Sequence, residues 1–151
     1  MKRTVLGGLV LLAAASAACQ DIIFKTLGTE NAVSVENTPG TLRFQASNLD
    51  NVHDEVDIDW ENPEGRAAIA HRSFVPHGQV VVTVSDAAGV LLYSTPAEYQ
   101  LDNQTQAGQP GTWHVRFQFF GARGRVDVSL TALAGEGDPE LVPPLPPQPS
   151  P

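Results

Sequence analysis

Between Thr41 and Leu133 apolar and polar residues alternate with a period of two, and helical repeats are almost absent. Leu42, Phe44 and Ala46 alternate with Thr41, Arg43 and Gln45, which predicts a half-buried strand over 41–47. Asn48 to Asn51 predicts a polar turn. In Val52 to Glu61, Val56, Ile58 and Trp60 share one face, and Glu55, Asp57, Asp59 and Glu61 share the other. The small-residue run from Arg66 to Phe74 predicts a strand, with a short helix as the competing assignment. Gln79–Ser85 and Val90–Ser94 predict a hairpin closed by Asp86 to Gly89. Tyr99 to Gly108 is polar and predicts a surface loop or an edge strand. The strongest alternation comes last. Trp113, Val115, Phe117 and Phe119 point one way and His114, Arg116, Gln118 and Phe120 the other. Gly121 then predicts a tight reversal and a second strand from Arg125 to Leu133, making a hairpin.

Seven to eight short strands at regular spacing predict an all-β fold, a single antiparallel β-sandwich of jelly-roll type over 41–133. Residues 19–40 read as a tether with one short strand at 32–35. The chain carries seven of its twelve prolines from Pro139 onward, so 134–151 reads as a tail that packs no core and favours polyproline II.

The N-terminus changes the picture from fold to address. Lys2 and Arg3 precede an apolar run from Val5 to Ala15, and Ser16, Ala17, Ala18 and Cys19 follow, the pattern of a secretory signal peptide over 1–18. The run is shorter than the roughly 20 residues a spanning helix needs. Ala17, Ala18 and the chain's one cysteine, Cys19, resemble the lipobox of bacterial lipoproteins, with Ser16 where that family prefers Leu. The resemblance implies that Cys19 becomes a lipid-modified N-terminus holding the chain at a membrane surface, and Gln20 after it implies the outer membrane. Ordinary cleavage after Ala17 or Ala18, giving a secreted soluble protein with a free thiol, is the alternative.

Net charge is −8, and loss of Lys2 and Arg3 with the leader makes the mature chain more acidic still. A general electrostatic footprint for nucleic acid or anionic headgroups is therefore not expected. The four carboxylates of Glu55, Asp57, Asp59 and Glu61 stand about 7 Å apart along a strand and repel one another. They invite either a solvated face or a calcium site, calcium being the one cofactor the sequence suggests. His53, His71, His77 and His114 lack metal-ligand spacing. No Gly-x-Ser-x-Gly elbow and no phosphate loop occurs, so a small envelope hydrolase would need the fold to gather Ser, His and Asp. Trp60 and Trp113 fall on apolar faces and are expected in the core, not on a carbohydrate platform. His114, Arg116 and Phe120 form the expected contact face.

Gly78 before a Val-rich strand, Asp86 and Gly89 before Leu92 and Tyr93, and Pro110, Gly111, Thr112 and Trp113 resemble the small jelly-roll domains of the bacterial pre-peptidase C-terminal class and, more loosely, CUB and GOLD-like sandwiches. That resemblance implies an accessory, noncatalytic module binding another envelope protein or a ligand. A calcium-dependent carbohydrate- or protein-binding module is the alternative.

Overall fold

In the computed structural model the described residues are 24–134. The predicted signal peptide, Cys19 and nearly all of the Pro-rich tail lie outside them. Seven antiparallel strands follow in order: β1 (Ser34–Thr38), β2 (Thr41–Asn62), β3 (Arg66–His71), β4 (Phe74–Ser85), β5 (Leu91–Pro96), β6 (Leu101–Gln104) and β7 (Gly111–Leu133). The all-β, antiparallel sandwich expected from the alternation is the observed fold.

Its frame is the pairing of β2 with β7 along their whole lengths, from Thr41 opposite Thr131 to Asn62 opposite Gly111. Both strands turn a corner midway. Register shifts fall between Ala46 and Leu49, Leu49 and Val52, and Val52 and Asp54. Asn48 and Asn51 sit there with φ of 55° and 57°, which Asn tolerates better than most residues. Opposite them lie Gly121 and Gly124, also at positive φ. The corner divides the sheet into two layers, an arrangement in which bulged strands pass from one layer to the other. One layer has β1, the first half of β2, the second half of β7, β3 and β6; the other has the remaining halves with β4 and β5.

Three expectations are corrected here. The stretch Gly111–Leu133 is one strand, not a hairpin, because the bulges at Gly121–Gly124 flip the side-chain alternation without reversing the chain, and Ala122 still pairs with Val52. Asn48–Asn51 is a bend inside β2 for the same reason. The tether reading also stops short: β1 pairs with β2, and Lys25 bridges to Val52, so residues from 25 onward belong to the domain. Arg66–His71 is a strand, and the polar loop contains the edge strand β6.

The layers meet through apolar side chains. Phe44 of one stacks on Phe117 of the other at 4.2 Å between ring centroids. Within one layer, the cross-strand partners Trp60 and Trp113, both fully buried, meet edge to face at 5.9 Å, on the apolar faces where alternation placed them. Their indole N–H groups donate to the Thr38 and Gln109 carbonyls, so neither polar edge is stranded. His71 is fully buried, its Nε2 2.9 Å from the Tyr93 hydroxyl across the layers.

Gly124 is a position where the corner admits no side chain. Its φ is +118°, and a Cβ there would lie 2.1 Å from the Phe74 carbonyl oxygen of β4. Gly124→Ala is therefore expected to cost about 1–3 kcal/mol in urea unfolding through backbone strain and to displace Phe74. Unchanged stability would mean that β4 does not approach β7 at this point.

Candidate functional site

The acidic row and the predicted contact face prove to be one surface. In the β2–β7 register Glu55 faces Gln118, Asp57 faces Arg116, Asp59 faces His114 and Glu61 faces Thr112. Each carboxylate meets a donor. Arg116 Nε donates to Asp57 Oδ1 at 2.6 Å and Nη2 to Asp57 Oδ2 at 3.2 Å, with Glu55 Oε1 3.4 Å from Nε. Gln118 Nε2 donates to Glu55 at 2.9 Å, His114 Nδ1 is 2.7 Å from Asp59 Oδ1, and the Thr112 hydroxyl donates to Glu61. The Asp57 bond, then the charges of Asp57 and Glu55, push the Arg116 guanidinium further toward its charged form. These donors offset the repulsion that the row carries when β2 is read alone. The pairs are solvent-exposed, and such surface pairs each contribute about 0–1 kcal/mol. Phe120 lies on the same outer side and is half-exposed, beyond the last ladder pair.

Two chemistries raised by the sequence can be placed. Ser85, His114 and Asp59 stand in one cross-strand row, the residue order of a hydrolytic triad. Only the His114–Asp59 link forms; no hydrogen bond joins Ser85 to His114. For metals, no group of three or more His, Cys, Asp or Glu side chains is gathered among the described residues. His53, His71, His77 and His114 are not brought together.

A different surface collects exposed aromatic and charged groups. At the outer side of the corner, Phe74, Tyr99, Arg125, Ser47, Asn48 and Leu49 line an open concavity of about 740 Å³ with Gly124. Phe74 is 53% and Tyr99 61% exposed, the rings of a site left open to solvent. The fold places them together through two loops distant in sequence. The Ser73 N–H donates to the Glu98 carbonyl at 2.9 Å, so the residues that follow each, Phe74 and Tyr99, reach the same concavity.

Asp127 pins that crossing. Its N–H donates to Ser73 Oγ at 3.0 Å, and its carbonyl accepts from the Arg72 N–H at 2.8 Å. Its carboxylate is gripped by Arg43 through Nε at 3.0 Å and Nη2 at 2.8 Å, and by Gln45 at 3.1 Å. The Arg43 hydrogen bond, aided by Gln45 and the charges of Arg43 and Arg125 against partial burial, holds this carboxyl below the usual carboxylate range. Asn48 is fixed as well, accepting from Asn31 Nδ2 at 3.0 Å and donating to the Glu30 carbonyl at 3.2 Å.

Arg125 is the exception in this network. It is exposed, and although its charge acts on Asp127, its guanidinium makes no hydrogen bond or close ion pair among the described residues, whereas Arg43, Arg72, Arg116 and Arg123 each pair with a carboxylate. Two open rings and an exposed guanidinium can stack a planar or ring-bearing group and bind an anionic one. Sequence reasoning missed Phe74, Tyr99 and Arg125. The signal available was an aromatic residue in an otherwise polar loop, at Tyr99, and another just before Pro76, at Phe74.

No protein-family model matches the chain, and no curated protein sequence does. Among solved structures, a glycoside hydrolase family 43 arabinoxylan arabinofuranohydrolase from Bacillus subtilis, in complex with cellotetraose, is similar at 18% identity with a TM-score of 0.34, over 67% of this chain and 24% of that chain. The chain thus spans about a quarter of that enzyme's length, and likeness at this level carries no function across.

Proposed function

We propose that the protein is a noncatalytic binding module of the cell envelope, tethered to the outer membrane through a lipid on Cys19, whose binding surface is the concavity of Phe74, Tyr99 and Arg125. One observation carries the choice of surface. The ladder of Glu55, Asp57, Asp59 and Glu61 satisfies itself with His114, Arg116 and their neighbours, whereas the concavity exposes two rings beside an exposed Arg125 guanidinium. The ladder keeps its sheet face soluble and marks where a partner does not sit. Contact with another envelope protein or an extracytoplasmic ligand then falls at the corner.

Two variants made in parallel test the two halves of this proposal. Cys19→Ala is expected to move the protein from the membrane fraction to the soluble one, since it removes the acyl chains that the tether rests on; unchanged partition overturns the tether. Phe74→Ala combined with Tyr99→Ala is expected to leave the thermal midpoint nearly unchanged, because both rings are exposed. The same double variant is expected to lose retention by isolated envelopes once the lipid is removed. Full retention overturns the choice of surface.

A further inference from the structure

His71, the last residue of β3, is fully buried between the layers, yet only one of its ring nitrogens is engaged. Nε2 lies 2.9 Å from the Tyr93 hydroxyl of β5, while Nδ1 has no hydrogen-bond partner among the described residues. A neutral ring can meet Tyr93 with Nε2 and leave Nδ1 a bare acceptor. A protonated ring carries an N–H on both nitrogens, so it brings into the seam a charge and a donor that nothing accepts. The flanking strands offer no relief. Val128 of β7 and Leu101 of β6 pair with His71, and β4, which pairs with β5, turns Val80, Val82 and Val84 inward. Asp127, next to Val128, is held by Arg43, and burial keeps the Tyr93 hydroxyl above its ordinary 10 and hence neutral. The charges that reach the ring are those of Glu98 and Asp102, which favour its protonation, and Arg72, which opposes it. Both carboxylates are exposed, so a charged ring gains by moving outward.

The two residues after His71 make the crossing that brings Phe74 and Tyr99 together. Arg72 pairs with Asp102 at 2.7 Å, and the Ser73 N–H donates to the Glu98 carbonyl at 2.9 Å. The buried ring and the fastening of the concavity therefore share one short piece of chain. We infer that His71 is a pH-sensitive latch, whose protonation drives the ring out of the seam toward Glu98 and Asp102, breaks the Ser73–Glu98 hydrogen bond and takes the Phe74–Tyr99 concavity apart. Burial, against the pull of Glu98, keeps the ring of the closed form below the ordinary 6.5, to which an opened ring returns. Between those two values the closed form is neutral and the open form protonated, so the open population rises about tenfold for each unit that pH falls. The functional consequence rests on the concavity being the binding surface: a ligand held there at neutral pH is released in mild acid.

The test follows the full mature chain with Cys19→Ala by NMR from pH 7.5 to 5. Hydrogen exchange of the Ser73 amide, corrected for its intrinsic rate, reads the crossing, the Phe117 amide in the middle of β7 reads global unfolding, and the His71 imidazole resonances read the protonation. Below pH 6.5 the Ser73 protection is expected to fall about tenfold per pH unit while that of Phe117 falls far less, and the ring resonances of Phe74 and Tyr99 are expected to shift together with those of His71. His71→Phe combined with Tyr93→Phe, which leaves the seam apolar and without a titrating imidazole, is expected to make the Ser73 protection independent of pH over this range. Ser73 protection that stays constant while His71 titrates, a parallel fall at Ser73 and Phe117, or the same slope in the double variant would each overturn the latch. Constant Ser73 protection, together with loss of envelope retention in the Phe74→Ala, Tyr99→Ala variant, would overturn the latch and leave the binding surface in place. Tenfold opening at Ser73 with retention intact in that variant would remove the surface and leave the latch.

Discussion

Phe117→Ala is expected to lower the free energy of unfolding by about 3–5 kcal/mol, the range for a buried Phe truncated in a close-packed core. Phe117 is fully buried. It lies on β7 between Val56 of β2 and Val82 of β4 and stacks across the layers on Phe44. Its loss removes a contact within the layer and one between layers, and the rigid sheet on both sides limits how far the gap can collapse. Native domains hold about 5–15 kcal/mol in total, so this variant sits near the edge of folding. Phe120→Ala is the control: three residues on, half-exposed and on the outer side, it is expected to change stability by no more than about 0.5 kcal/mol. Urea titrations of both variants, with equal slopes, read the difference. A Phe117 effect as small as that of Phe120 would contradict the packing of the two layers.

Asp86→Ala is expected to be the most damaging polar substitution in the chain. The carboxylate is buried at the β4–β5 connection and accepts three backbone N–H groups: Ala88 at 3.0 Å and Val90 at 2.8 Å on Oδ1, and Gln109 at 2.8 Å on Oδ2. It ties the turn to the start of β7, and removing it strands all three donors at once. Asp86→Asn separates the roles, since it keeps an acceptor for Ala88 and Val90 but turns an amide N–H₂ toward Gln109. Those same bonds, that from Gln109 foremost, hold the Asp86 carboxyl below its ordinary value of 3.8. Asp127, held down by Arg43, and Asp50, held down by Lys25, behave alike. A depressed carboxyl contributes stability that is present above 3.8 and is lost as pH falls through the folded-state value. His71 acts at higher pH. Burial, with a smaller push from Arg72 against Glu98 and Asp102, lowers its proton affinity below the ordinary 6.5, so its contribution is present above 6.5 and declines as pH falls further. Thermal midpoints of the wild type are expected to fall first below about pH 6.5 and again below about pH 3.8. The Asp86→Asn variant is expected to show a shallower second fall, and an identical acid profile would remove Asp86 from that account.

Periodicity reveals which face of each segment is buried, and here it did so for Leu42, Phe44, Trp60, Trp113 and Phe117. It does not reveal chain direction. A hairpin and a bulged corner both flip the alternation between Phe119 and Val126, and the choice depends on Asn48 and Asn51 bending β2 at the same place as Gly121 and Gly124 bend β7. Nor is register visible from one strand. The acidic row was plain in β2, but its neutralisation required knowing that Asp57 meets Arg116 and Asp59 meets His114. The concavity was hidden for a stronger reason. Phe74 and Tyr99 are neighbours only because Ser73 and Glu98 join two loops, and local pattern carries no record of such a crossing.

The central claim, that the corner and not the ladder meets a partner, is tested most directly by site-specific photo-cross-linking in intact envelopes, with a benzophenone side chain at Tyr99 and, separately, at Thr83 beside Arg116 on the ladder face. Adducts to another envelope component from position 99 and none from position 83 are the expected result. Adducts from 83 with none from 99 would contradict it.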